Sequence, residues 1–343
     1  MHVLRLRSHI WVKITACLMF TLLFTGMIPL SAEAIVKTTT PKTGANVRSN
    51  DKVSIDASNL EEGYVIIKYT GGKDVRIKAQ VAKGKDSAYT YDINNKGNPE
   101  IVPISEGDGS YTISVLENVV DTKYALAYST TLDVKLRDPL LPFLYANQYV
   151  NFVADPSKSK IVDTAKKIAE KAKNEANGAN EQLEAMKYIY RFVTSGMTYD
   201  TVLATNVKSG YLPNVDRILN EFVDDYLPGF LKVANMDGAL NDFRKEYNGK
   251  LGKGICFDYA VLMSSMLRLQ GIPAKLVIGY AGALYHAWIN VYIEDIGWID
   301  QAVYFDGKQW SLMDPTFVST SNSTNAVKQF VGEGNNYSQK FVY

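Results

Sequence analysis

The sequence predicts an α+β protein in which an antiparallel β-sandwich precedes a region of helices and short strands. Two observations carry this. From about 51 to 137, apolar residues recur at every second position between turn residues, the period of a strand with one covered face. Beyond Asp138-Pro139-Leu140-Leu141-Pro142 the period becomes helical, and short apolar strands return only after residue 273. A length of 343 residues suits about two domains, and 46% hydrophobic with 21% charged residues excludes a wholly disordered or collagen-like chain.

Taken in order, residues 1–34 read as a secretory signal peptide. Arg5, Arg7 and Lys13 precede the apolar run Ile14 to Leu30, and Ala32-Glu33-Ala34 is an A-x-A cleavage site. An uncleaved anchor is the alternative, against which the run is near the short end for a membrane span. Cys17 is no lipidation site, because the apolar run follows it rather than precedes it. The expectation is a secreted, extracellular protein, loosely surface-bound at most, with no membrane span in the mature chain. Cleavage removes three of the 37 basic and one of the 36 acidic residues, moving the net charge from +1 to −1. No basic stripe suggests nucleic acid. His2, His9 and Cys17 leave as well, so the mature chain keeps one cysteine, Cys256, and one histidine, His286. That excludes an intrachain disulfide and a metal site built from several Cys or His ligands. No metal and no cofactor are expected.

Residues 35–50 read as an extended leader. The β-sandwich domain spans 51–138: Val53-Ile55-Ala57, Val65-Ile67-Tyr69, Val75-Ile77-Ala79-Val81, Tyr111-Ile113-Val115 and Leu132-Val134-Leu136 alternate, with turn signals at Gly71-Gly72-Lys73, Asn94 to Gly97 and Gly107-Asp108-Gly109. An immunoglobulin-like sandwich fits best, without the cysteine–tryptophan hallmark of antibody domains. The second domain spans 140–343. Ser159 to Ala176 alternates apolar and Lys/Glu residues at helical spacing, and Glu181 to Val193 puts Leu183, Met186, Ile189 and Val193 on one stripe. Val215 to Phe243 predicts two short helices broken at Pro228-Gly229.

Cys256 opens an apolar helix that runs to Gln270, with Gly271 and Pro273 as its stop and Gly252 and Gly254 allowing a tight turn before it. A cysteine at a helix N-terminus meets the positive end of the helix dipole, which favours the thiolate. A buried structural thiol is the bland alternative. Ala274 to Tyr280 reads as a strand. In the next, His286 to Tyr292, residues Ala287, Ile289 and Val291 share one face, and His286, Trp288 and Asn290 the other. Trp288 is either a cleft wall or a core aromatic. Trp298 and Trp310 bracket two further short strands. Asp314, before Pro315, is a turn residue or a hydrogen-bond acceptor for imidazole, and Asp300 is its rival. A thiol, an imidazole and a carboxylate are the parts of nucleophilic catalysis. The backbone N–H of Cys256 suits an oxyanion hole, with Tyr199, Tyr211 and Gln182 as open choices for a second donor. Asp258 stays open and Tyr259 reads as packing. Residues 318–343 form a polar tail ending in a strand at 339–343.

Four segments carry a resemblance. Gly-Lys-Gly-Ile-Cys-Phe-Asp-Tyr-Ala at 252–260, Gly-Ile-Pro-Ala-Lys at 271–275, His-Ala-Trp-Ile-Asn-Val-Tyr at 286–292 and Asp-Pro-Thr at 314–316 resemble the transglutaminase-like superfamily, in the family's order. The likeness covers about 181–317, with an insertion at about 219–251. It implies a papain-like α+β domain with the cysteine helix packed on an antiparallel sheet. It also implies that Cys256 is the nucleophile, His286 the base and Asp314 the orienting carboxylate. The chain resembles bacterial members of the family.

Two classes of function follow. One is cysteine-dependent acyl transfer on protein or peptide amides, ending in hydrolysis or in transamidation, with cell-wall peptide among the candidate substrates. The other is a catalytically silent surface-binding or adhesion module. The sole cysteine and the sole histidine of the mature chain both fall on motif positions, which favours the enzyme.

Overall fold

The alternating segments fold as antiparallel strands. The computed structural model describes residues 41–343 apart from 86–87, 153–158, 179, 208–210, 212–214, 301–302, 306–309, 313–315 and 317–335. Strands β1 (Val47–Ser49), β2 (Val53–Asp56), β3 (Tyr64–Tyr69) and β6 (Glu100–Pro103) form one sheet in that order. Strands β4 (Ile77–Lys83), β5 (Tyr89–Ile93), β7 (Gly109–Val120) and β8 (Lys123–Val134) form a second, ordered β5-β4-β7-β8. Ile55, Val65 and Ile67 of the first sheet and Ile77, Ala79, Ile113 and Val115 of the second are buried in one core. The Tyr69 hydroxyl donates to Glu117 Oε1 at 2.7 Å, tying β3 to β7. The expected strands correspond to β2, β3, β4, β7 and β8. Three more are added: β1, inside the expected leader, and β5 and β6. β5 buries Tyr89, Tyr91 and Ile93, so its covered face is mostly phenolic rather than aliphatic.

Helix α1 (Lys160–Ala176) is capped by Ser159, whose hydroxyl accepts the Ile161 N–H at 3.3 Å. It buries Ile161, Ala165, Ile168 and Ala172 and leaves its lysines outside. Helix α2 (Glu181–Gly196) is capped by Asn180 onto the Leu183 N–H at 3.0 Å. Its end runs straight into β9 (Met197–Tyr199), followed by α3 (Thr201–Asn206). The next region departs from expectation. Helix α4 (Val215–Val233) passes through Pro228 without a break, and the chain turns only before α5 (Asp237–Tyr247). An internal proline costs about 3 kcal/mol. Packing offsets it: Tyr226 and Phe230 are fully buried, with rings 5.1 and 5.3 Å from Phe192.

Gly252 and Gly254 also differ from the expected turn. They form β10 (Gly252–Gly254), extended and parallel to β9. Helix α6 (Cys256–Leu269) follows, with Tyr259, Ala260, Val261, Leu262, Met263, Met266 and Leu267 all at 0% exposure. It stops where Gly271 takes φ +70. It packs on β11 (Ala274–Ala281) and β12 (Leu284–Ile293). These two join β13 (Gly297–Ile299) and the late strand β16 (Tyr337–Val342) in an antiparallel sheet ordered β13-β12-β11-β16. Between them, β14 (Val303–Phe305) pairs with β15 (Trp310–Leu312). The whole is a mixed α+β architecture of helices and antiparallel sheets.

Two devices hold α6 in place. Arg268, 2% exposed, donates to the carbonyls of Ala274 (3.0 and 2.7 Å), Tyr343 (2.8 Å) and Tyr145 (2.5 Å). Burial pulls its pKa down to about 9, so it stays cationic at neutral pH. At the other end, rings run in series from β5 to the helix: Tyr91 to Tyr343 at 5.5 Å, Tyr343 to Tyr149 at 4.5 Å, Tyr149 to Phe257 at 5.9 Å.

Candidate active site

Cys256 is the first residue of α6, where the helix leaves its first N–H groups without intrahelical partners. The turn before it is held by Asp258, which resolves that open residue as structural. Its Oδ2 accepts the Ile255 N–H at 2.7 Å, and its Oδ1 accepts the Tyr211 hydroxyl at 2.7 Å. At 2% exposure it acts as a buried N-terminal clasp. A side chain at Gly254 would meet Asp258 Cβ at 2.5 Å, so the clasp requires glycine there. Tyr259 is fully buried packing, as the sequence predicts.

The parallel pairing of β9 with β10 sets Tyr199 beside Gly254, and the Asp200 N–H donates to the Gly254 carbonyl at 2.9 Å. A residue just beyond α2 is thereby carried to the start of the cysteine helix, 57 positions later in the chain. From the other side, β12 brings His286, 5% exposed, opposite Gly279 of β11. An added Cβ at Gly279 would lie 2.0 Å from the Ser338 carbonyl and 2.9 Å from the Trp288 ring. The bare backbone there lets the β16 main chain and the Trp288 ring close onto β11. The imidazole lies 6.2 Å from the Trp288 ring, nearly parallel to it, and 6.3 Å from Tyr337.

These pieces meet at one cavity of about 540 Å³, lined by Tyr199, Thr201, Cys256, Leu284, Tyr285, His286 and Thr316. Two of the expected site residues, Cys256 and His286, are thus brought together. Asp314 lies outside the described residues, while Thr316 of the same Asp-Pro-Thr motif is buried on the cavity wall. Asp300 sits in an exposed turn, and its charge acts on the Lys275 amine. Of the three candidate donors, only Tyr199 lines the cavity. Tyr211 donates to Asp258, and Gln182 Oε1 accepts the Glu294 N–H at 2.8 Å. Trp288 is core: it packs with Phe143, Val277 and Val342 on the face of the sheet that Ala287 and Ile289 do not share. Leu284, Tyr285 and Thr201 are lining residues without a sequence signal, although Tyr285 adjoins His286 in the chain.

Burial raises the Tyr199 pKa, and the charges of Cys256 and Asp258 raise it further. Burial raises Tyr285 too, with Tyr280 and then Cys256 adding to it. Both hydroxyls stay protonated donors at neutral pH. Among the described residues, no three of His, Cys, Asp and Glu are grouped to hold a metal, and no helix is long and apolar enough to cross a membrane.

Comparison with known proteins bears on this site. Residues 242–301 match the model of the transglutaminase-like superfamily, a stretch that includes Cys256 and His286 and ends before Asp314. Two solved structures overlay loosely. A protein from Cytophaga hutchinsonii provisionally named a cysteine protease shares 15% identity over 87% of this chain and 73% of its own, with a TM-score of 0.31. Red sea bream transglutaminase shares 13% over 74% of this chain and 48% of its own, with a TM-score of 0.26. At those scores neither overlay carries weight. No curated protein matches the chain. The cysteine helix opens, and the histidine strand runs, within the stretch 242–301, so the part of the chain that builds this cavity is similar to the transglutaminase-like superfamily.

Proposed function

We propose that the protein is an exported enzyme that transfers acyl groups from protein or peptide amides through a thioester on Cys256. His286 carries the proton, and Asp314 orients the imidazole. One observation carries the reading: the thiol at the start of a buried helix and the imidazole line the same cavity. The superfamily suggests cysteine-dependent acyl transfer or hydrolysis, which agrees. In the first half-reaction the Cys256 sulfur attacks the amide carbonyl carbon. The oxyanion that forms is stabilised by the Cys256 N–H and the Tyr199 hydroxyl. Imidazolium then gives its proton to the departing nitrogen, the C–N bond breaks, and a thioester remains. In the second, His286 takes a proton from water or an amine, which attacks the thioester, and the C–S bond breaks. Thr316 on the cavity wall supports assigning the third role to its motif partner Asp314.

The wider reading is of a secreted chain with residues 1–34 removed. Residues 51–138 serve as an immunoglobulin-like sandwich, and 140–343 as the catalytic domain. The arrangement β2-β3-β6 against β5-β4-β7-β8, with crossovers between sheets, supports the sandwich assignment.

The test is incubation of the protein with a labelled primary amine and a glutamine-containing protein, with ammonia and new chain termini followed in parallel. Amine incorporation identifies transamidation, ammonia alone deamidation, and new termini proteolysis. Cys256→Ala should abolish whichever is seen. Labelling of Cys256 by iodoacetamide near pH 6 should slow in His286→Ala. If His286→Ala leaves the labelling profile unchanged and no product forms, the protein is a binding module.

A further inference from the structure

The cavity that holds Cys256 opens on an apolar rim. The β11–β12 hairpin turns in two residues, Gly282-Ala283, and carries Tyr280, Leu284 and Tyr285 at 41%, 55% and 60% exposure. Tyr280 and Tyr285 stand opposite one another with ring centroids 5.4 Å apart. Helix α3, whose first turn is held by Asp200 on the Leu203 N–H at 2.8 Å, gives Thr201 to the cavity wall and carries Val202 at 70% exposure. Among the described lining residues there is no lysine, arginine, aspartate or glutamate. Single exposed apolar residues are ordinary, but several gathered at the mouth of a cleft mark surface that a ligand covers.

Resting on the acyl-transfer reading, we infer that this site takes flexible polypeptide segments that present a large aliphatic or aromatic side chain beside the reacting amide, and not the carboxylate-rich stem peptides of a cell wall. A neutral apolar side chain there covers Leu284 and Tyr285 and gives up no hydrogen bonds to water. A carboxylate in the same place gives up water against leucine and tyrosine, with no described cation on the cavity wall to meet it. The volume of about 540 Å³ belongs to clefts that admit a small ligand or a few residues of chain, not a folded surface. Both walls are set beforehand, by a two-residue turn and by a capped helix, so little ordering accompanies binding.

The experiment uses two acyl-donor peptides identical except for the residue next to the reactive glutamine, phenylalanine in one and glutamate in the other. Binding to the full-length Cys256→Ala protein is read by fluorescence anisotropy, and turnover is read with the unaltered protein. The phenylalanine peptide should bind about tenfold tighter or better. Combining Leu284→Ala with Tyr285→Ala should bring the two peptides close to parity. Both positions are exposed, so folding survives their truncation. Equal or tighter binding of the glutamate peptide overturns the inference, as does full selectivity in the double variant. The two readings fail separately: selective binding without turnover sinks acyl transfer and leaves the rim, and turnover without selectivity does the reverse.

Discussion

The hairpin β7–β8 and the hairpin β11–β12 are both long and antiparallel, but they are covered differently. β7 buries Tyr111, Ile113, Val115 and Glu117 while the residues between them stay partly or fully exposed, and β8 is open along most of its length. Val119, Val120 and Leu126 stand out into solvent at 66%, 52% and 63% exposure. In β12, by contrast, His286 to Val291 are all buried. One of its faces lies in the main core with α6, and the other, which carries Trp288, packs on Phe143 and Val342. It opens only at its tip, Leu284-Tyr285. A scaffold hairpin needs one covered face. A hairpin that sets an imidazole on the wall of a cavity gains from two, because a ring packed on both sides holds one orientation. Burial along β12 thus falls off toward the site, and the last covered residue is His286.

Breaking the second cover should have the largest effect. Trp288→Ala removes the centre of the aromatic face and should cost about 3–5 kcal/mol in urea unfolding. A loss below about 1 kcal/mol would mean that the face is not packed core. Gly279→Ala forces a methyl group toward the Ser338 carbonyl and should cost about 1–3 kcal/mol, with β16 loosened from β11 in amide exchange. Unchanged protection of β16 would count against that close approach.

The β7 side offers a different lever. The Glu117 carboxyl is held at about 2, below its usual 4.5, chiefly by the hydrogen bond from Tyr69, with Lys73 and Lys52 adding to it. Its pKa is depressed in the folded state, so its contribution is complete above about pH 4.5 and is lost as pH falls toward 2. Glu117→Gln should lower stability by about 1–2 kcal/mol at pH 6 and flatten the decline between pH 4.5 and 2. An equally steep decline in the variant would remove Glu117 from that role. Smallest of all, Leu126→Ser on the open hairpin should change stability by less than about 0.5 kcal/mol. A larger loss would show that this surface is covered.

What the sequence made legible follows the range of the interactions involved. Period-two alternation marked β2, β3, β4, β7 and β8 because aliphatic residues fill their covered faces. It passed over β5, whose face is built around Tyr89 and Tyr91, and over the three-residue β1. The stop signals around Gly271 and Pro273 are local, and α6 ends where they put it. Pro228 is a local signal too, yet the ring packing of Tyr226 and Phe230 overrides it. Cys256 and His286 were legible because motifs flank them. Tyr199 was one of three choices, and only the pairing of β9 with β10, more than 50 residues apart, separates it from Tyr211 and Gln182. Contacts made at that distance leave no trace in neighbouring residues.

Strand β16 has a consequence for synthesis. It pairs with β11 on the edge away from β12, and Tyr343 exchanges backbone hydrogen bonds with Leu276 at 2.9 Å in both directions. Among the described residues, every other strand of the sheet that carries His286 has left the ribosome some forty residues earlier. A nascent chain can therefore build α6 and the β11–β12 hairpin while one edge of the sheet is still bare. Until the final strand docks, Arg268 lacks its Tyr343 acceptor and Trp288 lacks Val342 at its side. The cysteine and histidine are translated before the strand that completes their surroundings.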